Sequence, residues 1–202
     1  YRKVNADSII AIGGGSVIDT AKGLRMLISQ GGNDILSFVG CEVLPKGQSV
    51  PLVAIPTTSG TGSEATQIAV IKNNEKHVKM EFVSQFLLPD LAVIDPRFCT
   101  SMPKRVTAMT GLDALTHALE AFYCLQKNII SQSYALAAVQ LIKDNLINAI
   151  TNGSDKKVRL NMANASLLAG SAFSNSMVGL VHAIGHSLGG IAKVPHGLAM
   201  AI

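Results

Sequence analysis

The run GLDALTHALEAF, residues 111–122, sets Asp113 and His117 four residues apart in an Ala/Leu-rich stretch with helical periodicity. Residues at i and i+4 of a helix lie ~5–6 Å apart at Cβ, so a carboxylate and an imidazole at this spacing can aim at one point. His182 and His186 repeat the spacing in GLVHAIGHSLGGIAKVPHGLAM, and His196 follows a Gly-Gly break and Pro195. Isolated carboxylates and imidazoles are costly to desolvate unless they are paired or bound to a metal. Asp113, His117, His182 and His196 together offer three nitrogens and one carboxylate, a shell suited to a divalent first-row metal. The fifth histidine, His77 in NNEKHVKM, lies in a charged stretch and is assigned no role.

Something must hold these side chains against a ligand, and the first half of the chain supplies it. Three β-branched runs read as strands of a parallel α/β sheet: SIIAI (8–12), PLVAI (51–55) and LAVI (91–94). Each runs into a loop rich in Gly, Ser, Thr or Asp, and ligands of open parallel sheets bind beyond the carboxyl ends of the strands. In GGGSVIDTAK, glycines 13–15 would let a diphosphate approach backbone N–H groups and the positive end of a helix. Ser16 and Asp19 have the spacing of a capping box, and Val17, Ala21, Leu24 and Ile28 form the expected apolar face of that helix. The third glycine of the dinucleotide fingerprint is absent, since Ile18 stands there. The hydroxyls and bare amides of PTTSGTGSEAT suit phosphate, ribose or amide recognition.

After Pro103 the strand signals disappear and Ala/Leu/Ile segments with a period near 3.6 follow one another, so the second half is expected to be helical. Asn152-Gly153 should close the helix ALAAVQLIKDNLINAI, and Ser154-Asp155 should cap the next. The domain boundary falls near 100–104, giving a partial nucleotide-binding unit over residues 1–104 and a partial helical metal-binding unit over 105–202.

Composition narrows the function. The net charge is +4, the Lys and Arg are scattered, and 4% of residues are aromatic, so neither a phosphate-tracking stripe nor a base-stacking platform is present and no nucleic-acid partner is expected. No apolar run reaches the ~18 residues of a membrane span, and no signal peptide is visible. Cys41, Cys99 and Cys124 are odd in number and widely spaced, which suits free thiols in a reducing, cytoplasmic compartment. The chain opens at Tyr1 and stops within an apolar pattern, as an excised interior would.

The segments AIGGGSVIDTAK, PTTSGTGSE, LAVIDPRFCTSMPKRVTAMTGLDALTHALEAF and HAIGHSLGGIAKVPHG, in this order over nearly the whole chain, resemble the iron-containing (group III) alcohol dehydrogenase family. The resemblance implies an α/β nucleotide-binding domain with a parallel, dehydroquinate-synthase-like sheet, followed by an all-helical metal-binding domain, here without the family's N-terminal unit and C-terminal helices. It implies Fe(II), with Zn(II) as the alternative, on Asp113, His117, His182 and His196, and His186 as a non-ligand histidine beside the substrate and nicotinamide. It further implies NAD, with NADP as the alternative. Gly14, Gly15 and Ser16 would lie on the diphosphate, Asp19 near the nicotinamide end, Thr57, Thr58 and Thr61 on the cofactor from the second loop, and Lys79 on the adenosine side. The implied reaction is reversible hydride transfer between a small alcohol or aldehyde and the nicotinamide, in a homo-oligomer. Phe122, Phe173 and Met177 are candidates to line the substrate cleft. Glycerol dehydrogenases and dehydroquinate synthases share the architecture, but the D-A-L-T-H, H-A-I-G-H and V-P-H-G segments favour the alcohol dehydrogenase branch. The remaining alternative is a truncated or fused module without catalysis.

Overall fold

The structure is a computed structural model that describes residues 1–40, 47, 49–73, 78–192 and 194–201. His77 and Cys41 lie outside the described residues. The chain begins with strand β1 (Ile9–Gly13), turns through Gly14 into helix α1 (Gly15–Ser29), and returns as β2 (Leu52–Pro56). A hairpin of β3 (Ile68–Asn73) and β4 (Val78–Val83) follows, then a short β5 (Leu91–Ala92). From there onward the named elements are α-helical apart from a turn at Pro96–Phe98: α2 (Lys104–Tyr123), α3 (Ile129–Thr151), α4 (Lys156–Ser174), α5 (Leu180–Ile191) and α6 (His196–Ala199).

Among the described residues β1, β2 and β5 form a parallel sheet in that order, with Ile9 opposite Leu52 and Val53 opposite Leu91. The three strands expected from sequence are therefore present and parallel. Period-two alternation sends Ala11, Leu52 and Ala54 onto α1, where Ile18 is fully buried, and leaves Ile10, Ile12 and Leu91 exposed. The hairpin is antiparallel, with Ile68 opposite Val83 and Asn73 opposite Val78, and packs Ala69, Met80 and Phe82 against Met26 of α1.

Two expectations for α1 are corrected. The helix starts at Gly15 with Gly14 as N-cap and no side-chain cap, so Ser16 and Asp19 do not form a capping box. Asp19 instead accepts from the Ser63 hydroxyl at 2.5 Å and from the Val70 N–H at 3.0 Å. The buried face is Ile18, Lys22 and Met26, while Val17 and Leu24 are exposed. Lys22 stays inside because its ammonium donates to Thr66 O (2.8 Å), Thr66 Oγ1 (2.9 Å) and Ile68 O (2.7 Å). A buried lysine so satisfied is a tie between the helix and the chain leaving the second loop.

The helical half is held by small residues at helical spacing. Ala114, Ala118 and Ala121 of α2 meet Ala135, Ala138 and Ile142 of α3 and Met162, Ala165 and Ala169 of α4. Short side chains let backbones come close. Asp155 caps α4 by accepting from Lys157 and Val158 N–H groups, and Asn152 ends α3, as the sequence signals indicate. The Gly-Gly pair does not break the chain, because α5 continues through it to Ile191 and His196 opens α6.

Glu64, 3% exposed beside Lys22, carries a testable charge. Burial outweighs the nearby ammonium and pushes its carboxyl up from 4.5 to about 7. The folded state thus holds this proton more tightly than the unfolded state, and Glu64 costs stability as pH rises from 4.5 to about 7. Urea unfolding at the two ends of that window should show Glu64→Gln gaining on the parent protein toward the alkaline end. A constant difference between the two proteins would contradict the assignment.

Candidate metal centre and cofactor turn

Asp113 and His117 project from one face of α2 and are 2% and 5% exposed. The Asp113 Oδ1 atom is the meeting point: His196 Nε2 lies 3.4 Å away, His182 Nε2 3.8 Å and His117 Nδ1 4.0 Å. Ligand atoms of Asp113, His182 and His196 all lie within 4.8 Å of one another. His117 stands beside this trio, stacked between Phe173 (ring centroids 4.3 Å) and His182 (4.2 Å).

The donor set fits a cation. Asp113 Oδ1, His117 Nδ1 and His182 Nε2 are buried and have no hydrogen-bond partner. Native interiors rarely leave such atoms without partners, and a divalent ion among Asp113, His182 and His196 would satisfy Asp113 Oδ1 and His182 Nε2 directly. The protonation states of Asp113, His117 and His196 agree with this. Burial pulls His117 down to about 3 and His196 down to about 4, so both imidazoles keep a lone pair at neutral pH. Burial alone would raise Asp113, but the surrounding imidazoles prevail and hold it down at about 2. For His182, burial opposes protonation, yet Asp113 and Glu120 on either side raise its pKa.

The outer partners orient the rings. Glu120 Oε2 accepts from His182 Nδ1 at 2.5 Å, and Glu81 Oε1 from His186 Nδ1 at 2.9 Å. The Lys79 ammonium lies 3.4 Å from His196 Nδ1. Lys79, which the family resemblance assigns to the adenosine side of a cofactor, therefore sits on the histidine cluster. His186 is outside the close trio, its ring 5.1 Å from that of His196, and is part exposed where a substrate could reach it. Glu120 and Glu81 were not recognised from sequence. For Glu120 a signal existed: a charged residue two turns beyond Asp113 on the same face of an apolar helix.

The two loops of the sheet meet. Thr57 N–H donates to Gly13 O at 3.0 Å, a Cβ on Gly14 would lie 3.2 Å from Thr58 Oγ1, and one on Gly15 would lie 2.7 Å from Thr61 Oγ1. Gly14, Gly15, Ser16, Thr57, Thr58 and Thr61 thus share one surface, with Ser16 exposed and the threonines part exposed. Of the three candidate cleft residues, Phe173 reaches the centre through His117, Phe122 is partly exposed on α2, and Met177 occupies a left-handed turn (φ 67°) ahead of α5.

A glycine turn at parallel strand ends, joined through the second loop to a bundle bearing a carboxylate and three imidazoles, defines a class of two-part proteins with an α/β half and a helical half that carries the candidate donor set. Residues 1–96 match the family described as iron-containing alcohol dehydrogenase, and residues 107–202 match the C-terminal part of the Fe-containing alcohol dehydrogenase family. The chain is 42% identical over its full length to alcohol dehydrogenase 4 of Schizosaccharomyces pombe, covering 47% of that protein. It is 43% identical over its full length to the 1,3-propanediol dehydrogenase of Citrobacter freundii, covering 52% of it. The crystal structure of sulfoacetaldehyde reductase from Bifidobacterium kashiwanohense in complex with NAD+ superposes with a TM-score of 0.91 at 33% identity, over 98% of this chain and 53% of that one. The protein belongs to the iron-containing alcohol dehydrogenase family. It spans about half the length of the curated relatives it matches.

Filling the orphaned donor set should stabilise the fold. Zn(II) at a hundred times its dissociation constant contributes about 2.7 kcal/mol, a rise in melting temperature of roughly 5–10 °C for a chain of this size. His182→Ala should abolish the rise in a thermal scan. An equal rise in both proteins would show that the cation binds elsewhere.

Proposed function

We propose that the protein is the core of a metal-dependent alcohol dehydrogenase catalysing reversible hydride transfer between a small alcohol or aldehyde and a nicotinamide cofactor. The observation that carries this reading is the convergence of two unpartnered buried imidazole nitrogens, His117 Nδ1 and His182 Nε2, on the unpartnered Asp113 Oδ1, next to the loop that also meets the glycine turn. Residues 1–104 would bind the cofactor and residues 105–202 the metal, with NAD and Fe(II) favoured by the family and its NAD+ complex. The protein would act as a cytoplasmic homo-oligomer without nucleic-acid or membrane partners. Among the described residues no helix is long and apolar enough to cross a membrane.

Gly14, Gly15 and Ser16 would accept the cofactor diphosphate at the uncapped start of α1, where bare amides and the helix dipole favour an anion. Thr57, Thr58 and Thr61 would direct hydroxyls to the same ligand, while Asp19 fixes the loop through Ser63. Asp113, His117, His182 and His196 would hold a first-row cation, whose chemistry is Lewis-acid polarisation of the alcohol or aldehyde oxygen. Asp113 would partly neutralise that cation and set the net charge of the pocket. His186 holds its Nδ1–H on Glu81, which leaves Nε2 to take the substrate proton and pass it toward solvent.

The test is Asp113→Ala and His182→Ala in the full-length protein, scored for bound metal and alcohol-dependent NADH formation. Loss of the metal with a fall in turnover on the order of 10³-fold is expected, since Lewis-acid stabilisation contributes several kcal/mol. Parental turnover without metal would overturn the reading. Ethanol, butanol, propanediol and glycerol assayed side by side would then define the substrate.

A further inference from the structure

We propose that Glu120 is a positioning residue for the metal centre, one buried carboxylate that both starts helix α5 and fixes the ring of His182 so that its Nε2 lone pair faces Asp113. The proposal rests on the metal reading above and extends it to a residue outside the donor set. Glu120 lies seven residues after Asp113, two turns along the same face of α2, and is fully buried. An ionised carboxylate does not persist in such surroundings without several donors, and this one has them. Val181 N–H donates to Oε1 at 2.6 Å, His182 N–H to Oε2 at 3.4 Å, and His182 Nδ1–H to Oε2 at 2.5 Å.

The first two contacts do the work of an N-cap. Helix starts leave backbone N–H groups without partners, and the residue at the cap of α5 is Gly179, which has no side chain to accept them. Glu120 reaches across from α2 in its place. Gly179 is required for this approach, because a Cβ there would lie 2.9 Å from Glu120 Oε1. The third contact turns a cap into a ligand support. With its proton held at Nδ1 by a carboxylate, His182 presents an unprotonated Nε2, which lies 3.8 Å from Asp113 Oδ1 and has no other partner. A carboxylate behind a ligating imidazole fixes tautomer and orientation and strengthens the nitrogen as a donor.

A purely structural cap and a positioning residue respond differently to Glu120→Gln. The amide oxygen can still accept from Val181, but the amide NH2 is a donor, and facing His182 Nδ1 it requires the ring proton to move to Nε2. The shorter of the two cap contacts, from Val181 N–H, survives, and the lone pair toward Asp113 is lost. In the full-length protein, Glu120→Gln should bind Zn(II), measured against a chromophoric chelator, on the order of 10- to 100-fold more weakly than the parent. Its metal-free melting temperature should stay close to the parental one. In 15N-histidine spectra taken where the ring is neutral, His182 of the metal-free parent should carry its proton at Nδ1.

Unchanged Zn(II) affinity in Glu120→Gln, with binding still lost in Asp113→Ala, would overturn the positioning role and leave the metal reading standing. Retention of Zn(II) by Asp113→Ala and His182→Ala would instead overturn the reading on which the proposal rests. Should Glu120→Gln fail to fold, the tautomer in the parent protein decides, and a proton found at Nε2 sinks the proposal.

Discussion

Two close approaches around residues 56–66 hold the two halves of the molecule together, a third ties the same loop to the glycine turn, and each requires the absence of a side chain. Gly15 meets Thr61 within the α/β half, a Cβ on Gly60 would lie only 2.6 Å from Thr110 Cβ of α2, and a Cβ on Gly62 would lie 2.6 Å from Gly170 Cα of α4. Gly62 also adopts φ 60°, a conformation that glycine enters without steric penalty. The loop is thereby wedged between the glycine turn and helices α2 and α4. Its far end is tied by Lys22 to Thr66 and Ile68, and its middle by the Gly62 N–H to Ser166 at 3.2 Å. Thr110 lies one turn before Asp113, so the segment that touches the glycine turn also sets the height of α2.

The same economy governs the buried charges. Asp113, Glu120, Glu64 and Lys22 are each nearly or fully inaccessible, and bare ions at these positions would cost several kcal/mol apiece. Lys22 is offset by three oxygen acceptors and Glu120 by three nitrogen donors. Asp113 differs, since its Oδ1 faces imidazole nitrogens without a hydrogen bond to any of them. Two of those imidazoles, His117 and His196, are held neutral by burial, so the pocket carries the negative charge of Asp113 with few protons to compensate it.

How much of this could be read from the chain follows from which forces act locally. The parallel strands, the cap at Asp155 and the approach of His117 to Asp113 follow from run length, capping chemistry and i, i+4 spacing, all short-range signals, whereas the convergence of Asp113 with His182 and His196 is a long-range product of the fold. The buried face of α1 did not follow, because hydropathy selects Val17 and Leu24, whereas Lys22 is drawn inside by carbonyls that arrive from residues 44 and 46 positions away. The capping box at Ser16 failed for a related reason: Ser63 and Val70 compete for Asp19 and win it from the helix start. The helix through Gly189-Gly190 shows tertiary packing overriding propensity, as Gly185 packs closely on Ala199 of α6 and on Met200, the residue that ends it. Glu120 was overlooked because a carboxylate in an amphipathic sequence reads as solvent-facing until the donors of α5 are placed beside it.

The hairpin makes the division between halves less sharp chemically than it is in secondary structure. By sequence position β4 belongs with the sheet, yet Lys79 and Glu81, two residues apart and therefore on one face of the strand, reach His196 and His186 on the helical side. Glu81 holds His186 through a hydrogen bond that also lowers its own pKa, so it remains an anion opposite the ring. Lys79 is half-buried, its pKa lowered by burial despite the nearby carboxylates of Asp113 and Glu81. One strand edge therefore sets the charge and tautomer on the open side of the cluster, while Glu120 sets them on the closed side. The histidines are gripped from two directions by residues outside the close trio of Asp113, His182 and His196.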